Sequence, residues 1–297
     1  MTILITGASG MLGQALMAEA KRRRRGDEQG QGIIGAARHH CDLTLDLEKE
    51  ASILATLTEA DPQVVINAAG LVSLDQCAAD PGLSYRINAR AVAILTQWCR
   101  ERGRRLIQIS TDHWYRGDGH QLHRETDPIQ LLNDYARSKQ AGEGFALSYE
   151  GSLVVRTNIT GFRGWPGRPT FIEWAMAAIH NDLPVTLFED FITSTLDTPA
   201  FARILFDLLD QEVLGLLNVS CREAVSKQVF VESLARALER PLNHVKIGRV
   251  TSLPTPRGES LGLDVSRAQE RLGYLLPDLE QVIRSLVNLY LERKSTP

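Results

Sequence analysis

The sequence has few cysteines, no long apolar run and no strong excess of charge. The four cysteines, at 41, 77, 99 and 221, are widely separated and form no CxxC pair. The sequence therefore predicts neither a disulfide framework nor a zinc site, and a reducing compartment fits. No apolar stretch reaches the roughly 20 residues that cross a bilayer, and the N-terminal MTILITG has no charged leader or cleavage site. We expect a soluble, cytoplasmic protein without a resident metal.

A net charge of -3 over 297 residues gives no reason to expect nucleic acid or an anionic membrane as a partner. The one basic run, Lys21 to Arg25, follows an apolar helical pattern, and cations are favoured at helix C-termini. We interpret this run as a solvated helix end rather than as a binding site. Hydrophobic residues make up 43% and charged residues 23%, which is the ordinary composition of a globular enzyme.

Short apolar runs alternate with helical patterns through the first half of the chain. Five runs predict buried strands: TILIT, GIIGAA, VVINAA, RLIQIS and LVVRT. Amphipathic patterns near 10–24, 48–60, 83–103 and 133–149 predict the helices between them. This alternation is typical of an α/β fold with a doubly wound, Rossmann-like parallel sheet and helices on both faces.

The second half is less regular. The loop GFRGWPGRPTF is followed by predicted helices at 171–180 and 198–210, and by predicted strands at PVTLF and LLNVS. The simplest division is a doubly wound domain over 1–160, to which 193–222 returns. A smaller C-terminal part then covers 161–192 and 223–297.

The segment ILITGASGMLG places Gly7, Gly10 and Gly13 between the first strand and the first helix. Glycines there let the backbone approach a pyrophosphate, whose charge the helix N-terminus stabilises. The spacing GxxGxxG is one residue longer in its first gap than the GxGxxG fingerprint. Position and spacing predict a dinucleotide cofactor. After the second strand Arg38 stands where an acidic residue would bind a ribose 2′-hydroxyl, and arginine can pair with a 2′-phosphate, so NADP(H) is favoured over NAD(H).

Four motifs follow one another along the chain: TGASGMLG, NAAG at 67–70, STD at 110–112 and YARSK at 135–139. With them the chain resembles an extended short-chain dehydrogenase/reductase, and more narrowly the dTDP-4-dehydrorhamnose reductase family. The resemblance implies NAD(P)H-dependent reduction of the 4-keto group of a nucleotide-linked 6-deoxy sugar. It assigns NAD(P) binding to 1–160 with 193–222, and substrate binding to 161–192 and 223–297.

The resemblance also implies roles for individual residues. The cofactor would be bound by Gly7, Gly10, Met11, Leu12 and Gly13 at the pyrophosphate, by Asp46 and Leu47 beside the adenine, and by Gly70, Leu71 and Val72 further along. The catalytic group would be Thr111, Tyr135 and Lys139, of which the last two also contact the cofactor. The substrate would contact Thr111, Asp112, Asn158 and Arg257, and Asn88 would support the active site.

The chemistry of these residue types agrees with the implied roles. Hydride transfer to a ketone creates an alkoxide that must be protonated. A phenol with an ordinary pKa of about 10 matches neutral pH poorly unless a nearby cation favours its ionised form. Lys139 lies four residues after Tyr135, on the same helix face, and supplies that cation. Thr111 can hydrogen-bond the substrate oxygen, with Ser110 as the adjacent alternative.

Three segments depart from the family's pattern near the expected substrate pocket and leave the sugar and the nucleotide open. His113-Trp114-Tyr115 follows the STD motif, Ile159 replaces a tryptophan, and EDFITSTLDT at 189–198 replaces DQxGxPT. A loop with Arg163, Trp165 and Arg168 either binds a diphosphate or a base, or serves packing.

Two other functions stay open. One is a nucleotide-sugar epimerase or dehydratase of the same superfamily, although STDHW offers only Asp112 as an acid. The other is a non-catalytic NADP-binding regulatory subunit, like the methionine adenosyltransferase β-subunit. The residues do not decide whether the chain forms a homodimer.

Overall fold

The computed structural model describes residues 1–24, 32–117 and 119–295, which form two compact units. Unit 1 comprises Met1–Thr111, Leu131–Arg156 and Ala202–Leu217. Unit 2 comprises Asp112–Gln130, Thr157–Phe201 and Asn218–Pro297. Arg25, the last residue of the basic run, lies outside the described residues.

The strands of the described residues are, in chain order, β1 (Thr2–Thr6), β2 (Gly32–Ala37), β3 (Leu43–Thr44), β4 (Val64–Asn67), β5 (Arg105–Ile109), β6 (Ser152–Arg156), β7 (Ile159–Thr160), β8 (Val185–Phe188), β9 (Ile192–Thr193), β10 (Leu196–Asp197), β11 (Gly215–Asn218), β12 (Val225–Ser226), β13 (Val245–Gly248) and β14 (Ser260–Leu261). The α-helices are α1 (Met11–Arg24), α2 (Glu50–Ala60), α3 (Leu74–Ala79), α4 (Pro81–Tyr85), α5 (Ala91–Arg102), α6 (Asp134–Leu147), α7 (Phe171–His180), α8 (Thr198–Asp210), α9 (Lys227–Ala237), α10 (Ser266–Leu272) and α11 (Leu279–Ser295). A π-helical turn covers Arg86–Arg90 and a 3-10 turn covers Val250–Ser252.

Unit 1 is built on a seven-stranded sheet in the order β11-β6-β5-β4-β1-β2-β3. The neighbours from β6 to β3 pair in parallel. Consecutive residues of the central strands, such as Leu4 and Ile5, point to opposite faces of the sheet and are both buried, as expected for a parallel sheet covered on both faces. The predicted doubly wound parallel sheet is confirmed, and its five predicted strands are β1, β2, β4, β5 and β6. The two-residue β3 was missed because it is too short to show a period.

One predicted helix is wrong in its interior. The segment 83–103 is not one continuous α-helix: α4 and α5 are joined by the π-helical turn, which contains Asn88. An extra residue in such a turn rotates the side chains that follow, and π-turns are frequent at functional sites. Apolar periodicity continues through the turn, so the sequence pattern does not reveal it.

Unit 2 contains three small sheets, in the orders β10-β7, β12-β9-β14 and β13-β8. The predicted helix at 171–180 is α7, which begins with a capping box: the Thr170 side chain accepts from the Glu173 amide, and the Glu173 side chain accepts from the Thr170 amide. The predicted strand PVTLF is β8, and it pairs in parallel with β13.

The compact units divide the chain differently from the sequence-based domain boundaries. Residues Asp112–Gln130 belong to unit 2, and the last segment of unit 1 is Ala202–Leu217. The reason lies in long-range pairing. His123 forms a bridge with Leu263, and the Asn218 side chain donates to the carbonyl of His123 at 2.9 Å. The division into a cofactor-binding part with 193–222 and a substrate-binding part stays a prediction.

Candidate functional site

In unit 1, residues predicted to bind the cofactor or the substrate follow the carboxyl ends of parallel strands. The glycine turn follows β1, Arg38 follows β2, Gly70 lies beyond β4 and Thr111 beyond β5. The sheet order reverses direction between β1 and β4, because the chain continues outward to β2 on one side and to β5 on the other. Open parallel sheets bind ligands at the carboxyl edge beside such a reversal.

The turn after β1 has the close packing that a pyrophosphate site needs. Gly7 has a φ of 67°, and a Cβ on it would lie 2.9 Å from the Cα of Ala69 beyond β4. The Gly10 amide donates to the Gly7 carbonyl at 2.8 Å, and α1 begins at Met11. A Cβ on Gly13 would overlap that same carbonyl oxygen. The turn is therefore a backbone-only surface at a helix N-terminus, which fits a dinucleotide.

Arg38 and Asp46 lie near each other beyond β2 and β3. Arg38 is exposed, whereas Asp46 is partly buried. Burial opposes ionisation of the Asp46 carboxyl. Hydrogen bonds from the Glu48 amide and Lys49, together with the charges of Lys49 and Arg38, nevertheless lower its pKa. The pair can present a cation and an acceptor to the adenosine half of a dinucleotide.

Asn88 connects the segment after β4 to the helix that carries Tyr135. Its side-chain oxygen accepts from the Leu71 amide at 2.8 Å, and its side-chain nitrogen donates to the Leu71 carbonyl at 2.9 Å and to the Ser138 hydroxyl at 3.1 Å. Ser138 in turn donates to the carbonyl of Tyr135 at 2.9 Å. Gly70 and Leu71 are thereby held by an amide on the π-turn. Val72 is 68% exposed, so it is open to a ligand.

Tyr135 and Lys139 are both buried in α6, as their shared helix face requires. The Asn133 side chain caps α6 by accepting from the Ala136 amide at 2.8 Å. The Lys139 ammonium donates to the carbonyl of Ile109 at 2.7 Å. Because Ile109 ends β5, two residues before Thr111, the ammonium lies at the carboxyl end of that strand.

The environment of Lys139 is dry but contains one compensating carboxylate. Burial lowers the pKa of Lys139 to about 8, while the charge of Glu143 acts in the opposite direction. Glu143 forms a buried ion pair with Arg156 at 2.6 Å and accepts from the Ser110 hydroxyl at 2.8 Å. At neutral pH the Lys139 amine therefore remains mostly protonated, and it is a poorly hydrated cation on the same helix face as Tyr135.

The same contacts indicate which of the two neighbouring hydroxyls, Ser110 or Thr111, is available to a substrate. The Ser110 hydroxyl is engaged with Glu143, on the side of the structural ion pair. Thr111 is buried as well and directly precedes Asp112. This supports Thr111, rather than its neighbour, as the strand-end hydroxyl for a substrate oxygen.

In unit 2, two predicted substrate residues are brought together. The Asn158 side-chain nitrogen donates to the Asp112 carboxylate at 2.7 Å. Asn158 accepts from the Thr195 hydroxyl at 2.8 Å, and Lys227 donates to that hydroxyl at 2.9 Å. Sequence reasoning missed Thr195 and Lys227. Neither carries a motif, since Thr195 lies in a segment that departs from the family's pattern and Lys227 is a single lysine at the start of α9.

Arg257 is placed near His113 rather than hydrogen-bonded to Asp112 or Asn158. Burial and the charges of Arg257 and Lys227 lower the pKa of His113 to about 4, so this imidazole is neutral at physiological pH. The Arg257 Nε atom is buried and has no hydrogen-bond acceptor among the residues that the structure describes. A buried guanidinium nitrogen of this kind suits an anionic ligand group.

The segments that depart from the family's pattern mostly pack inside unit 2. Trp114 is fully buried, and the Tyr115 ring stacks on His123 with centroids 3.8 Å apart. In the loop after β7, the Arg163 guanidinium lies 4.3 Å from the Trp165 ring centre, and Glu173 accepts from the amides of Arg163 and Gly164. These contacts favour the packing interpretation for Arg163, while Arg168 is exposed.

All four cysteines are free thiols. Within residues 1–24, 32–117 and 119–295, no group of three or more histidine, cysteine or acidic side chains could hold a metal ion. Among the same residues, no helix is long and apolar enough to span a membrane.

A family model described as the RmlD substrate binding domain matches residues 1–291. The chain is 26% identical to a probable low-salt glycan biosynthesis reductase, Agl14, of Haloferax volcanii, over 96% of this chain and 97% of that protein. It is 24% identical to dTDP-4-dehydrorhamnose reductase of Escherichia coli, over 97% of each. Its fold is similar to that of Bacillus anthracis dTDP-4-dehydrorhamnose reductase in complex with NADP, with a TM-score of 0.84, 21% identity, and coverage of 97% of this chain and 98% of that one.

Proposed function

Because the chain belongs to the family of the RmlD substrate binding domain, we propose that it reduces the 4-keto group of a nucleotide-linked 6-deoxy sugar with NAD(P)H. The Escherichia coli relative, matched over 97% of its length, is named dTDP-4-dehydrorhamnose reductase. The observation that carries the proposal is the buried ammonium of Lys139, fixed to the carboxyl end of β5 and one helical turn from Tyr135.

The residues of unit 1 account for the proton. A reduced nicotinamide, when bound at the carboxyl edge of the sheet, supplies a hydride to the carbonyl carbon. The Tyr135 hydroxyl donates its proton to the carbonyl oxygen as negative charge develops there. The Lys139 cation favours the phenolate that remains, and it can also hydrogen-bond the nicotinamide ribose. Thr111 donates a hydrogen bond to the substrate oxygen and orients it toward Tyr135.

Arg38 supports a preference for NADP(H). Its exposed guanidinium follows β2, where the ribose of a bound dinucleotide is expected, and it can form two parallel hydrogen bonds to a 2′-phosphate. Asp46 lies close enough for Arg38 to affect its pKa, so one carboxylate is also available near that ribose. We therefore expect a lower KM for NADPH than for NADH, with measurable activity with both.

The polar groups of unit 2 support a sugar nucleotide as substrate. Asp112 and Asn158 offer hydrogen-bond acceptors and a donor for sugar hydroxyls, and the buried Arg257 Nε suits a phosphate oxygen. The choice of sugar depends on the segments around His113, Ile159 and Thr195, whose sequences differ from the family's pattern. The protein would act in the cytoplasm, where its four thiols stay reduced. Whether it forms a homodimer can be measured by light scattering.

Two alternatives predict different measurements. A nucleotide-sugar epimerase or dehydratase recycles its cofactor within one turnover and consumes no NADPH. A regulatory subunit like that of methionine adenosyltransferase binds NADP without turnover. The intact Thr111, Tyr135 and Lys139 favour an enzyme over the regulatory subunit. Asp112 is the only acid in STDHW, which favours the reductase over a dehydratase.

The test is a screen of 4-keto nucleotide sugars with NADPH and with NADH, following absorbance and identifying the product. Tyr135→Phe should lower kcat by about 100-fold or more, because a positioned general acid contributes roughly 10²–10⁴, while NADPH binding is retained. Tyr274→Phe, at an exposed tyrosine of unit 2, is the matched control and should leave kcat unchanged. Unchanged turnover in Tyr135→Phe would refute the mechanism, and no turnover by the wild-type protein with any of these sugars would refute the function.

A further inference from the structure

A directed path of hydrogen bonds runs through unit 2 from Lys227 to Asp112. The Lys227 ammonium donates to the Thr195 hydroxyl, Thr195 donates to the Asn158 side-chain oxygen, and the Asn158 nitrogen donates to the Asp112 carboxylate. The three donor–acceptor distances are 2.9, 2.8 and 2.7 Å. Thr195 and Asp112 are buried, so water does not readily replace these bonds.

The direction of the path follows from the chemistry of its two ends. An ammonium group only donates and an ionised carboxylate only accepts. Thr195 must therefore accept from Lys227 and give its single proton to Asn158. The Asn158 amide then has to turn its oxygen toward Thr195 and its NH₂ group toward Asp112. The hydroxyl of Thr193, 2.9 Å from that of Thr195, can only donate to it, which fills the second lone pair of Thr195.

Lys227 is held as a cation by its surroundings. Its nitrogen lies 4.9 Å from the ring centre of Phe171, 5.6 Å from that of Phe230 and 5.8 Å from that of Phe191. Aromatic faces attract an ammonium group, and the Asp112 charge also favours the protonated form. Burial opposes both and lowers the pKa of Lys227 to about 8. Near pH 7 the donor-only form is therefore the main one.

We propose that Lys227 is a positioning residue of the reductase: through Thr195 it fixes the orientation of the Asn158 amide, and through Asn158 that of the Asp112 carboxylate. The inference rests on the proposed function, because it takes Asn158 and Asp112 as groups that bind the sugar. Without the ammonium group, the Thr195 hydroxyl can rotate away from the Asn158 oxygen, so the amide is held only by its bond to the Asp112 carboxylate and both substrate-binding groups are less firmly oriented.

The kinetic test uses two substitutions that break the path at different points. Lys227→Met keeps an unbranched side chain of similar length beside the three phenylalanine rings but removes the charge. Thr195→Val keeps the shape of the threonine but removes its hydroxyl. Each should raise KM for the keto sugar nucleotide about tenfold, on the order expected for one charge-assisted hydrogen bond, with a smaller change in kcat and no change in NADPH affinity. Lys246→Met, at an exposed lysine of β13, is the matched control and should leave KM unchanged.

A double-mutant cycle separates positioning from direct contact. If Lys227 acts through Asn158, then Lys227→Met combined with Asn158→Ala should be no worse than Asn158→Ala alone. If the double variant instead raises KM by the product of the two single increases, Lys227 contacts the substrate on its own and the proposal is overturned.

A second measurement does not depend on activity. The chain has only six lysines, at 21, 49, 139, 227, 246 and 294, so their side-chain carbon signals can be followed by NMR through a pH titration. Asp112→Asn should lower the pKa of Lys227 and leave that of Lys139 unchanged. An unchanged Lys227 titration in an active enzyme would overturn the coupling. Retained coupling in a wild-type protein that reduces no keto sugar would support the path and refute only the proposed function.

Discussion

Replacing Lys139 by methionine should abolish reduction and at the same time stabilise the folded protein at neutral pH. Lys139 is only 7% exposed, and burial is the largest influence on its pKa. The native pKa is about 8 against an ordinary value of 10.5. At about 1.4 kcal/mol for each pKa unit, this difference corresponds to about 3 kcal/mol of unfolding free energy.

The sign of the effect depends on pH. Below about pH 8 the amine is protonated in both the folded and the unfolded chain, and the folded state carries the full cost of the buried charge. Between about 8 and 10.5 the unfolded chain binds more protons than the native one, so wild-type stability rises with pH. Methionine removes the charge but also leaves the Ile109 carbonyl without its donor, which costs about 1 kcal/mol. The net gain of Lys139→Met at pH 7 is then about 2 kcal/mol.

Urea denaturation of the cofactor-free protein at pH 7 and at pH 10 measures this gain. The advantage of Lys139→Met over the wild type should fall to about zero at pH 10, where the wild-type amine is neutral in the folded state and the lost hydrogen bond offsets the small remaining gain. Lys246→Met, at an exposed lysine, should stay within about 0.5 kcal/mol of the wild type at both. A loss of several kcal/mol in Lys139→Met at pH 7, or a difference that does not change with pH, would refute the reasoning about the buried ammonium.

Two further predictions concern the same helix. A Cβ on Gly142 would overlap the carbonyl oxygen of Asn88, so Gly142→Ala should cost about 1–3 kcal/mol and weaken NADPH binding. Gly144 meets nothing within 4 Å, so Gly144→Ala should instead stabilise by up to about 1 kcal/mol, and thermal melts with NADPH titrations compare the two. Glu143→Gln removes the carboxylate that pairs with Arg156, which should cost about 3 kcal/mol in urea denaturation. It should also lower the pKa of Lys139 further in a lysine NMR titration, and an unchanged pKa would contradict the role given to Glu143.

The sequence by itself determined the sheet and the order of its elements. Apolar runs such as VVIN are continuous because both faces of a parallel sheet are covered, and this property is visible in a few consecutive residues. The glycine turn and the spacing of Tyr135 and Lys139 are equally local, since the geometry of one turn or one helix decides them. These features, with the family resemblance that they carry, were enough to predict a reductase.

Tertiary structure alone decided how those residues behave. The burial of Lys139, which lowers its pKa, depends on segments such as the end of β5, whose Ile109 carbonyl accepts from the ammonium. The ion pair of Glu143 with Arg156 joins α6 to β6, so it too depends on how helix and strand pack. The path from Lys227 to Asp112 joins residues that are more than a hundred positions apart, and no local pattern marks Lys227 as part of a site. Charge and hydrogen bonding depend on which groups fold together, whereas periodicity depends only on neighbours along the chain.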